Sequence, residues 1–535
     1  MIEATQFPCE ERARQYRAAG YWADQSFHDV LFEAAKCYGC KEVFADRNRR
    51  LSYAELADEV TRCATFFRSV GIRSGDVVTL QLPNRVEFPV AFFALELIGA
   101  IANQISPDFR ASELEYIMKF SQSVAYVCAK QMRGFEYLPM ARDVRTRSQD
   151  FTIICVDDVS DADVSSMANL ARHESLASGE WVKVSPDRII RMAFTSGTTG
   201  NPKAVLHSTN TTLYAAMILS KDMAVRESDV LLAYLPVGLN WGYLTLLQTI
   251  MTGARAYLME RFSSGEALAL IEREKVTYIP TAPASIMAML GHDEIDSRKL
   301  DSLRVIVTGG ASAPVETIRM FQRRLPETAL VELYGMLETG FHSYTRIGDD
   351  PLAVNGTVGR VVEGLELEIF RPDGTRADLF EEGEIAARGP SIHLGYLNNA
   401  EENSKSFPGD DWFLTGDLGK FIDDAHNVAI VGRRKEIINR GGKKYFPREV
   451  EEILYEYPAF QQLAVVGVPD ERVGEKGCLF ATLRPGHEVT LEQVVAFLRG
   501  KVADYKLPEQ LVVVNEFPMT PTGKIKRADL VASVS

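Results

Sequence analysis

Short apolar runs alternate with helical patterns as far as about residue 330, and this alternation restricts the fold more than any other feature. Ser52 and Glu55 form a capping-box pattern, and apolar residues then recur at helical spacing until Gly71. An apolar run at 76–83 predicts a buried strand, and the segment 86–101 predicts another helix. Strands that alternate with helices favour a layered α/β architecture.

The pattern changes after about residue 355. Strands become shorter and turn sequences such as RPDGT and FPGDDW multiply, which predicts a β-rich subdomain over about 355–433. The remainder contains predicted helices at 448–455 and 491–498 with apolar strands between them. We therefore expect an N-terminal domain at 1–433 and a C-terminal α+β domain at 434–535.

Composition excludes several classes of protein. The 535 residues, 46% hydrophobic and 25% charged, are not those of a collagen-like, coiled-coil or largely disordered chain. A net charge of −14 without a long basic run argues against nucleic acid as a partner. The seven cysteines are scattered and odd in number, which favours a reduced, cytoplasmic chain. The most apolar stretch, 89–102, is shorter than the roughly 20 residues of a membrane span, so we expect none.

A loop that follows an apolar run at 189–194 is the strongest functional signal. Glycines let backbone N–H groups turn inward, hydroxyls add donors and a lysine adds positive charge, a combination that suits phosphate groups. The Walker pattern is absent, and the alternative interpretation is a flexible turn. The loop consists of Thr195, Ser196, Gly197, Thr198, Thr199 and Gly200, followed by Asn201, Pro202 and Lys203.

Nine consecutive residues of this loop resemble the phosphate-loop signature of the adenylate-forming superfamily, and further motifs recur in family order. That superfamily contains acyl-CoA synthetases, aryl-acid adenylating enzymes, peptide-synthetase adenylation domains and luciferases. The resemblance implies two α/β subdomains plus a β-barrel, and a small mobile C-terminal domain. It also implies formation of acyl-AMP from a carboxylate and ATP, with Mg²⁺, and transfer of the acyl group to a thiol such as coenzyme A.

The resemblance assigns the nucleotide site residue by residue. Tyr334, followed by Gly335, matches the tyrosine that stacks on adenine, and Glu338 matches the magnesium ligand. Leu337 stands where a phosphate-binding threonine is common, and Thr339 is a candidate to supply that hydroxyl. The remaining assignments are the adenine loop Gly310, Ala311 and Ser312, the ribose ligand Asp417, its neighbour Arg433, and the catalytic lysines Lys203 and Lys524.

Three further assignments concern the acid, the hinge and the thiol. Leu239, Asn240 and Trp241 match the acid pocket, where Leu239 replaces a common histidine. Asn240 resembles an asparagine that aryl-acid enzymes direct at a ring hydroxyl, although an asparagine that only closes a loop is the alternative. Lys435 matches the hinge, and the pair Gly441 and Gly442 matches the face that meets the thiol acceptor.

Together these features predict an AMP-forming ligase for an aromatic or alicyclic acid, with coenzyme A as acceptor. Loading of a carrier protein in trans is the main alternative, because the same adenylate serves both. A luciferase-like oxygenase shares all the motifs, and a silent adenylate-binding protein is disfavoured by the presence of Glu338 and Lys524. The sequence leaves the oligomeric state open, with a homodimer among the possibilities.

Overall fold

A computed structural model describes residues 2–195, 202–310, 315–520 and 525–534. Its first sheet has seven strands, and all neighbouring strands pair in parallel except the pair at one edge, Ala204–Ser208 with Ile189–Phe194. That antiparallel pair flanks the predicted phosphate loop, so the strand expected at 189–194 is confirmed. In spatial order the strands are Ala204–Ser208, Ile189–Phe194, Ile101–Gln104, Val77–Gln81, Ala125–Cys128, Thr152–Cys155 and Val164–Ser166.

The second sheet has nine strands with a parallel centre and antiparallel edges. Parallel strands present their carboxyl ends at one edge of the sheet, which is where α/β folds bind ligands. In spatial order the strands are Arg360–Val361, Gly340–Tyr344, Ala329–Met336, Val305–Gly309, Tyr278–Thr281, Val230–Ala233, Arg255–Leu258, Glu42–Ala45 and Arg50–Ser52. A two-stranded ribbon joins Gln131–Met132 to Phe135–Glu136.

Helices cover these sheets, and two of them show how local sequence determines structure. The helix Tyr53–Ser69 begins with the predicted capping box of Ser52 and Glu55. The helix Glu87–Leu97 is buried on every side over residues 88–97, as expected for a helix without a polar face. The sequence predicted a helix over 86–101, but the observed helix ends at Leu97 because Ile101 begins a strand of the seven-stranded sheet. The α-helices of the described residues are Glu10–Ala18, Phe27–Tyr38, Tyr53–Ser69, Glu87–Leu97, Ala111–Ser121, Tyr137–Arg147, Thr209–Asp222, Asn240–Thr252, Ser264–Glu274, Pro283–Leu290, Val315–Arg324, Ala400–Ser406, Pro447–Leu454, Leu491–Leu498 and Arg527–Ala532.

The β-rich subdomain is an open antiparallel sheet, which corrects the barrel that the resemblance implied. Its first and last strands do not pair with each other. Instead, Val428 on the last strand exchanges backbone hydrogen bonds with Val358 and Gly359, which occupy the edge that closure would need. In order the strands are Glu366–Phe370, Gly383–Arg388, Phe413–Phe421 and Val428–Arg433.

The C-terminal region has a sheet and hydrophobic clusters of its own, made only of residues from Ile438 onward. The helix predicted at 491–498 is confirmed, and the one predicted at 448–455 is present at Pro447–Leu454. No helix among the described residues is both long and apolar enough to cross a bilayer. The strands of this sheet are Lys443–Tyr445, Ile438–Arg440, Gly474–Leu483, Phe460–Asp470 and Gln510–Val513.

Candidate functional site

A cavity of about 2460 Å³ opens at the carboxyl ends of strands from both large sheets. Thr195 reaches it from the seven-stranded sheet, while Gly309 and Tyr334 reach it from the nine-stranded one. Residues of the β-rich subdomain and of the C-terminal region complete its wall. The cavity therefore lies where the doubly layered architecture is expected to bind a ligand.

The two ends of the predicted phosphate loop are joined by the backbone. The amide N–H of Thr195 donates to the carbonyl oxygen of Lys203 at 3.0 Å, and the Lys203 N–H donates to Thr195 Oγ1 at 3.1 Å. Both residues line the cavity. The residues between them that were predicted to bind phosphate, Ser196, Gly197, Thr198, Thr199 and Gly200, lie outside the described residues.

The predicted adenine and ribose residues meet on one wall of the cavity. The Tyr334 hydroxyl donates to Asp417 Oδ2 at 2.8 Å, and Arg433 Nε lies 2.9 Å from Asp417 Oδ1. Asp417 is only 4% exposed, and its charge raises the pKa of the Arg433 guanidinium, while burial raises the pKa of Tyr334 well above its usual value. The arrangement fixes a carboxylate at the cavity wall, and each of its oxygens can accept a further hydrogen bond.

Glycine is required beside that wall. A side chain on Gly335 would place its Cβ 2.2 Å from the carbonyl oxygen of Gly340. Gly310 also lines the cavity and has φ of +85°, a backbone conformation that glycine adopts without strain. Its predicted partners in the adenine loop, Ala311 and Ser312, lie outside the described residues.

Glu338 and Lys203 are brought into one cluster through residues that the sequence did not single out. The Tyr396 hydroxyl donates to Glu338 Oε1 at 3.1 Å, and Lys203 Nζ lies 4.9 Å from the centre of the Tyr396 ring. Lys203 also forms an ion pair with Glu402. Burial raises the pKa of the Glu338 carboxyl, and the Tyr396 hydrogen bond opposes that shift. The cluster thus places a lysine and a carboxylate at the end of the phosphate loop.

Thr339 does not reach the cavity. It is fully buried, its hydroxyl accepts a hydrogen bond from the Met336 N–H at 3.4 Å, and Ser391 donates to its carbonyl oxygen at 2.7 Å. These hydrogen bonds stabilise the turn before Gly340. Thr339 therefore does not place its hydroxyl in the cavity in place of the threonine that is common at position 337.

The predicted acid-pocket residues Leu239, Asn240 and Trp241 all line the cavity at the start of one helix. Asn240 Oδ1 accepts a hydrogen bond from Arg191 Nη2 at 2.7 Å, and Asn240 Nδ2 donates to the carbonyl oxygen of Met336 at 3.3 Å. Asn240 is therefore hydrogen-bonded to the protein on both sides, and its contact with a ring hydroxyl stays a prediction.

The C-terminal residues are divided between the cavity and the surface. Lys435 lines the cavity in the short turn Arg434–Glu436, which joins the four-stranded sheet to the C-terminal sheet. Gly441 and Gly442 are exposed and do not line it. Lys524 lies outside the described residues, although Thr520 and Ile525 on either side of its segment line the cavity.

Sequence reasoning missed Tyr396, Glu402 and Arg191. Arg191 left a usable signal, because it is the one charged residue in the otherwise apolar run 189–194. Tyr396 and Glu402 left none, since both become significant only through contacts with Glu338 and Lys203 far away in the sequence.

Comparison with known proteins agrees with this geometry. The family model described as AMP-binding enzyme matches residues 31–397, and the model of its C-terminal domain matches 449–524. The chain is 34% identical to a salicyl-AMP ligase / salicyl-S-ArCP synthetase of Mycobacterium tuberculosis, over 98% of this chain and 93% of that protein. It is 32% identical to a medium-chain fatty-acid–CoA ligase of Escherichia coli, over 97% of this chain and 92% of that protein.

A solved structure is similar along nearly the whole chain. The anthranilate CoA ligase AuaEII, in complex with anthranoyl-AMP, superposes with a TM-score of 0.87 at 25% identity, over 95% of this chain and 97% of that one. The chain therefore belongs to the AMP-binding enzyme family of adenylate-forming proteins, and its activity is that of an AMP-forming acyl- or aryl-acid ligase.

Proposed function

We propose that this enzyme converts an aromatic or alicyclic carboxylic acid to an acyl-AMP and then to its coenzyme A thioester. The observation that carries the proposal is the single cavity that contains the Tyr334, Asp417 and Arg433 group together with Glu338 and Lys203. One wall suits a ribose and an adenine, and the other presents a cation and a carboxylate where phosphates would lie.

The adenylation step needs charge compensation. A substrate carboxylate oxygen attacks the α-phosphorus of ATP, the bond to the bridging oxygen breaks, and pyrophosphate leaves. Since an anion must approach a polyanion, positive charge near the α-phosphate lowers the barrier. We assign this role to Lys203 at the end of the phosphate loop and to Lys524 from the C-terminal domain.

Magnesium fits the same site. Mg²⁺ is usually held by one or two carboxylates together with substrate phosphates and water. Glu338 supplies a carboxylate that lines the cavity, and the described residues contain no cluster of three or more potential ligands that would hold a metal without substrate. When bound, the ion would neutralise phosphate charge. Tyr396 orients the Glu338 carboxylate for this role.

The acid pocket supports a ring-bearing substrate. Trp241 and Leu239 give apolar surface, and Asn240 adds one polar group, a combination that suits a planar ring with a polar substituent. The similarity to a salicyl-AMP ligase and an anthranilate CoA ligase supports the same choice. The similarity to a medium-chain fatty-acid–CoA ligase makes an aliphatic acid the second candidate.

Coenzyme A is the proposed acceptor, with Gly441 and Gly442 as the face that meets the thiol. The relatives include both CoA ligases and a ligase whose name gives an aryl carrier protein product, so transfer to a carrier protein is the competing proposal. In either case the thiolate attacks the carbonyl carbon of the acyl-AMP, and AMP leaves with the electron pair of the broken bond.

A screen of carboxylic acids tests the proposal. Purified enzyme with ATP, Mg²⁺ and coenzyme A should release AMP and pyrophosphate in step with acid consumption, and mass spectrometry should detect the acyl-CoA. Release of ADP and phosphate would contradict adenylation. Acyl-AMP that persists with coenzyme A but discharges onto a pantetheinyl carrier protein would favour the competing acceptor.

A further inference from the structure

The turn that carries Glu338 is held by residues behind the cavity wall. Leu337 and Glu338 line the cavity, but the carbonyl groups of residues 337, 338 and 339 all accept hydrogen bonds from residues that do not line it. The three donors are at most 3% exposed. They are His207 Nε2 to Leu337 at 2.8 Å, the His393 backbone N–H to Glu338 at 2.8 Å and Ser391 Oγ to Thr339 at 2.7 Å.

The strand Ala204–Ser208 brings His207 to this turn. Backbone hydrogen bonds join that strand to the segment that follows His393: the Leu394 N–H donates to the Leu206 carbonyl at 2.8 Å, and the Leu206 N–H donates to the Gly395 carbonyl at 3.1 Å. Two distant parts of the chain therefore form one frame behind the turn. His207 is the donor in this frame that acts through a ring.

The two ring nitrogens of His207 have different partners. A carbonyl can only accept, so Nε2 carries the proton that binds Leu337, while Nδ1 lies 3.2 Å from the hydroxyl oxygen of Thr211, which can donate to it. Burial, with a further contribution from Arg191, lowers the pKa of His207 well below its usual value, so the ring is neutral and carries a single N–H. The ring is thus oriented as a donor to Leu337.

The hydrogen bond to the Leu337 carbonyl determines the direction of the next N–H. No peptide bond in the part of the chain that the structure describes is cis, so the carbonyl of Leu337 and the N–H of Glu338 point in opposite directions. Burial raises the pKa of the Glu338 carboxyl, and the N–H of the same residue is the largest effect that lowers it, which places this N–H beside the carboxylate. His207 therefore acts on Glu338 through one peptide group.

This arrangement does not depend on the side chain at position 337. The hydrogen bonds that hold the turn from behind all involve backbone carbonyls, and Leu337 packs against the largest hydrophobic cluster. The turn can consequently keep its shape with a leucine where a hydroxyl is common.

We propose that His207 is a positioning residue of the nucleotide site: by holding the Leu337 carbonyl it directs the Glu338 carboxylate into the cavity, without a hydroxyl at position 337. The inference rests on the proposed role of Glu338 toward Mg²⁺ and ATP, and it deepens that role by naming the group that orients the carboxylate. Loss of the ring N–H should therefore weaken the effect of Mg²⁺ on ATP binding, and not ATP binding itself.

The test uses variants that keep one ring nitrogen at a time. Glutamine places an amide nitrogen near the position of Nε2, whereas asparagine reaches only the position of Nδ1. Calorimetry measures the Kd of ATP with and without Mg²⁺. We expect Mg²⁺ to tighten ATP binding by the native enzyme, His207→Asn to lose roughly tenfold of that enhancement, and His207→Gln to keep most of it. The Kd without Mg²⁺ should not change. In steady state, kcat for pyrophosphate release should fall in His207→Asn while the KM for the acid stays constant.

Two further variants separate this role from a structural one. Thr212→Val removes a buried hydroxyl that donates to the Ser208 carbonyl, away from the cavity, and should leave both Kd values unchanged. Adding Leu337→Thr to His207→Asn should not restore the enhancement, because the missing group is the donor behind the peptide. The comparison of His207→Leu with His207→Gln remains available if His207→Asn does not fold.

The outcomes are distinguishable. If the native enzyme activates no acid, the proposed function fails and this inference fails with it. If acids are activated but Mg²⁺ does not tighten ATP binding, or His207→Asn keeps the native enhancement, the inference alone is overturned. Equal weakening of ATP binding with and without Mg²⁺ would also overturn it, because that is the signature of a purely structural residue.

Discussion

Tyr396 is an example of a single hydroxyl that controls the charge of a neighbouring group. It donates to the Glu338 carboxylate at 3.1 Å and so favours the ionised form, whereas burial favours the protonated form and raises the pKa of Glu338. If Glu338 binds Mg²⁺, as we propose, only its ionised form can do so, and activity should then fall as the pH decreases through this raised pKa.

Replacing that tyrosine gives the first prediction. Tyr396→Phe removes a side-chain hydrogen bond that stabilises the Glu338 carboxylate, so the pKa of Glu338 should rise further and the acidic limb of kcat/KM for ATP should move to higher pH. The pH profile of pyrophosphate release measures this, and raised Mg²⁺ should partly restore activity. A profile that keeps its acidic limb in place would show that Glu338 does not control it.

The ion pair of Lys203 with Glu402 gives the second prediction. If Lys203 binds phosphate oxygens of ATP, as we propose, it must exchange Glu402 for them when ATP binds. Glu402→Gln should therefore lower the KM for ATP about two- to fivefold, the value of a partly exposed ion pair. Steady-state kinetics with ATP as the varied substrate measures it.

The same helix offers a matched control for this variant. Glu401 pairs with the exposed Lys405 and does not line the cavity, so Glu401→Gln should leave the KM for ATP unchanged. A higher KM for ATP in Glu402→Gln would mean that the carboxylate orients Lys203 for the nucleotide instead of competing with it.

At the scale of elements, one ion pair joins the last helix to the body of the C-terminal domain. Arg527, the first residue of that helix, lies 2.7 Å from Glu451 Oε1 and donates to Glu451 Oε2 at 3.0 Å. Glu451 is buried and also accepts a hydrogen bond from the Val465 N–H at 2.7 Å. Glu451 therefore connects the helix Pro447–Leu454, the strand Phe460–Asp470 and the chain just after Lys524. Arg527 additionally lies 3.5 Å from Glu436, beside the predicted hinge.

Breaking this pair should destabilise the C-terminal domain. Arg527→Met leaves the buried Glu451 carboxylate without its counter-ion, which we expect to cost about 3 kcal/mol. Hydrogen exchange at the amides of Phe460–Asp470 measures the loss. The exposed pair of Lys501 and Glu456 is the control, since Lys501→Met should change stability by less than ~0.5 kcal/mol. Equal protection in both variants would contradict a stabilising role for Arg527.

At the scale of the whole molecule, we propose that the two half-reactions use different faces of the C-terminal domain. The segment that flanks Lys524 lines the cavity, whereas Gly441 and Gly442 are exposed away from it. A rotation about Lys435 would exchange these faces, as in other hinge-bending enzymes. We propose that the present arrangement is the one used for adenylation and that the rotated one brings the glycine pair toward the acyl-AMP.

Two lysine variants separate the half-reactions. Lys524→Ala should lose adenylation by about 10²–10³ in rate, or ~3–4 kcal/mol, yet still convert supplied acyl-AMP and coenzyme A to thioester. Lys435→Pro should do the reverse, because proline fixes φ near −65° and blocks the rotation. Each half-reaction is assayed separately in each folded variant. Equal loss of both half-reactions in both variants would rule out domain alternation.

The sequence by itself determined the elements whose signals are local. The capping box of Ser52, the strand 189–194 and the helix 491–498 were all predictable, because caps and periodicity are properties of neighbouring residues. The nucleotide motifs could be recognised for a similar reason, since Tyr334, Glu338 and Asp417 each stand in a short run, and the roles assigned to these residues stay predictions.

Only the tertiary structure decided which of those pieces meet. The subdomain is an open sheet and not a barrel because Val358 and Gly359 occupy the outer edge of the strand Val428–Arg433, and Thr339 is turned inward although its motif suggested a ligand. Lys203 met Glu402 and Arg191 met Asn240 across long stretches of sequence. No local pattern encodes such pairs, because they depend on how the sheets and the segments between them pack around the cavity.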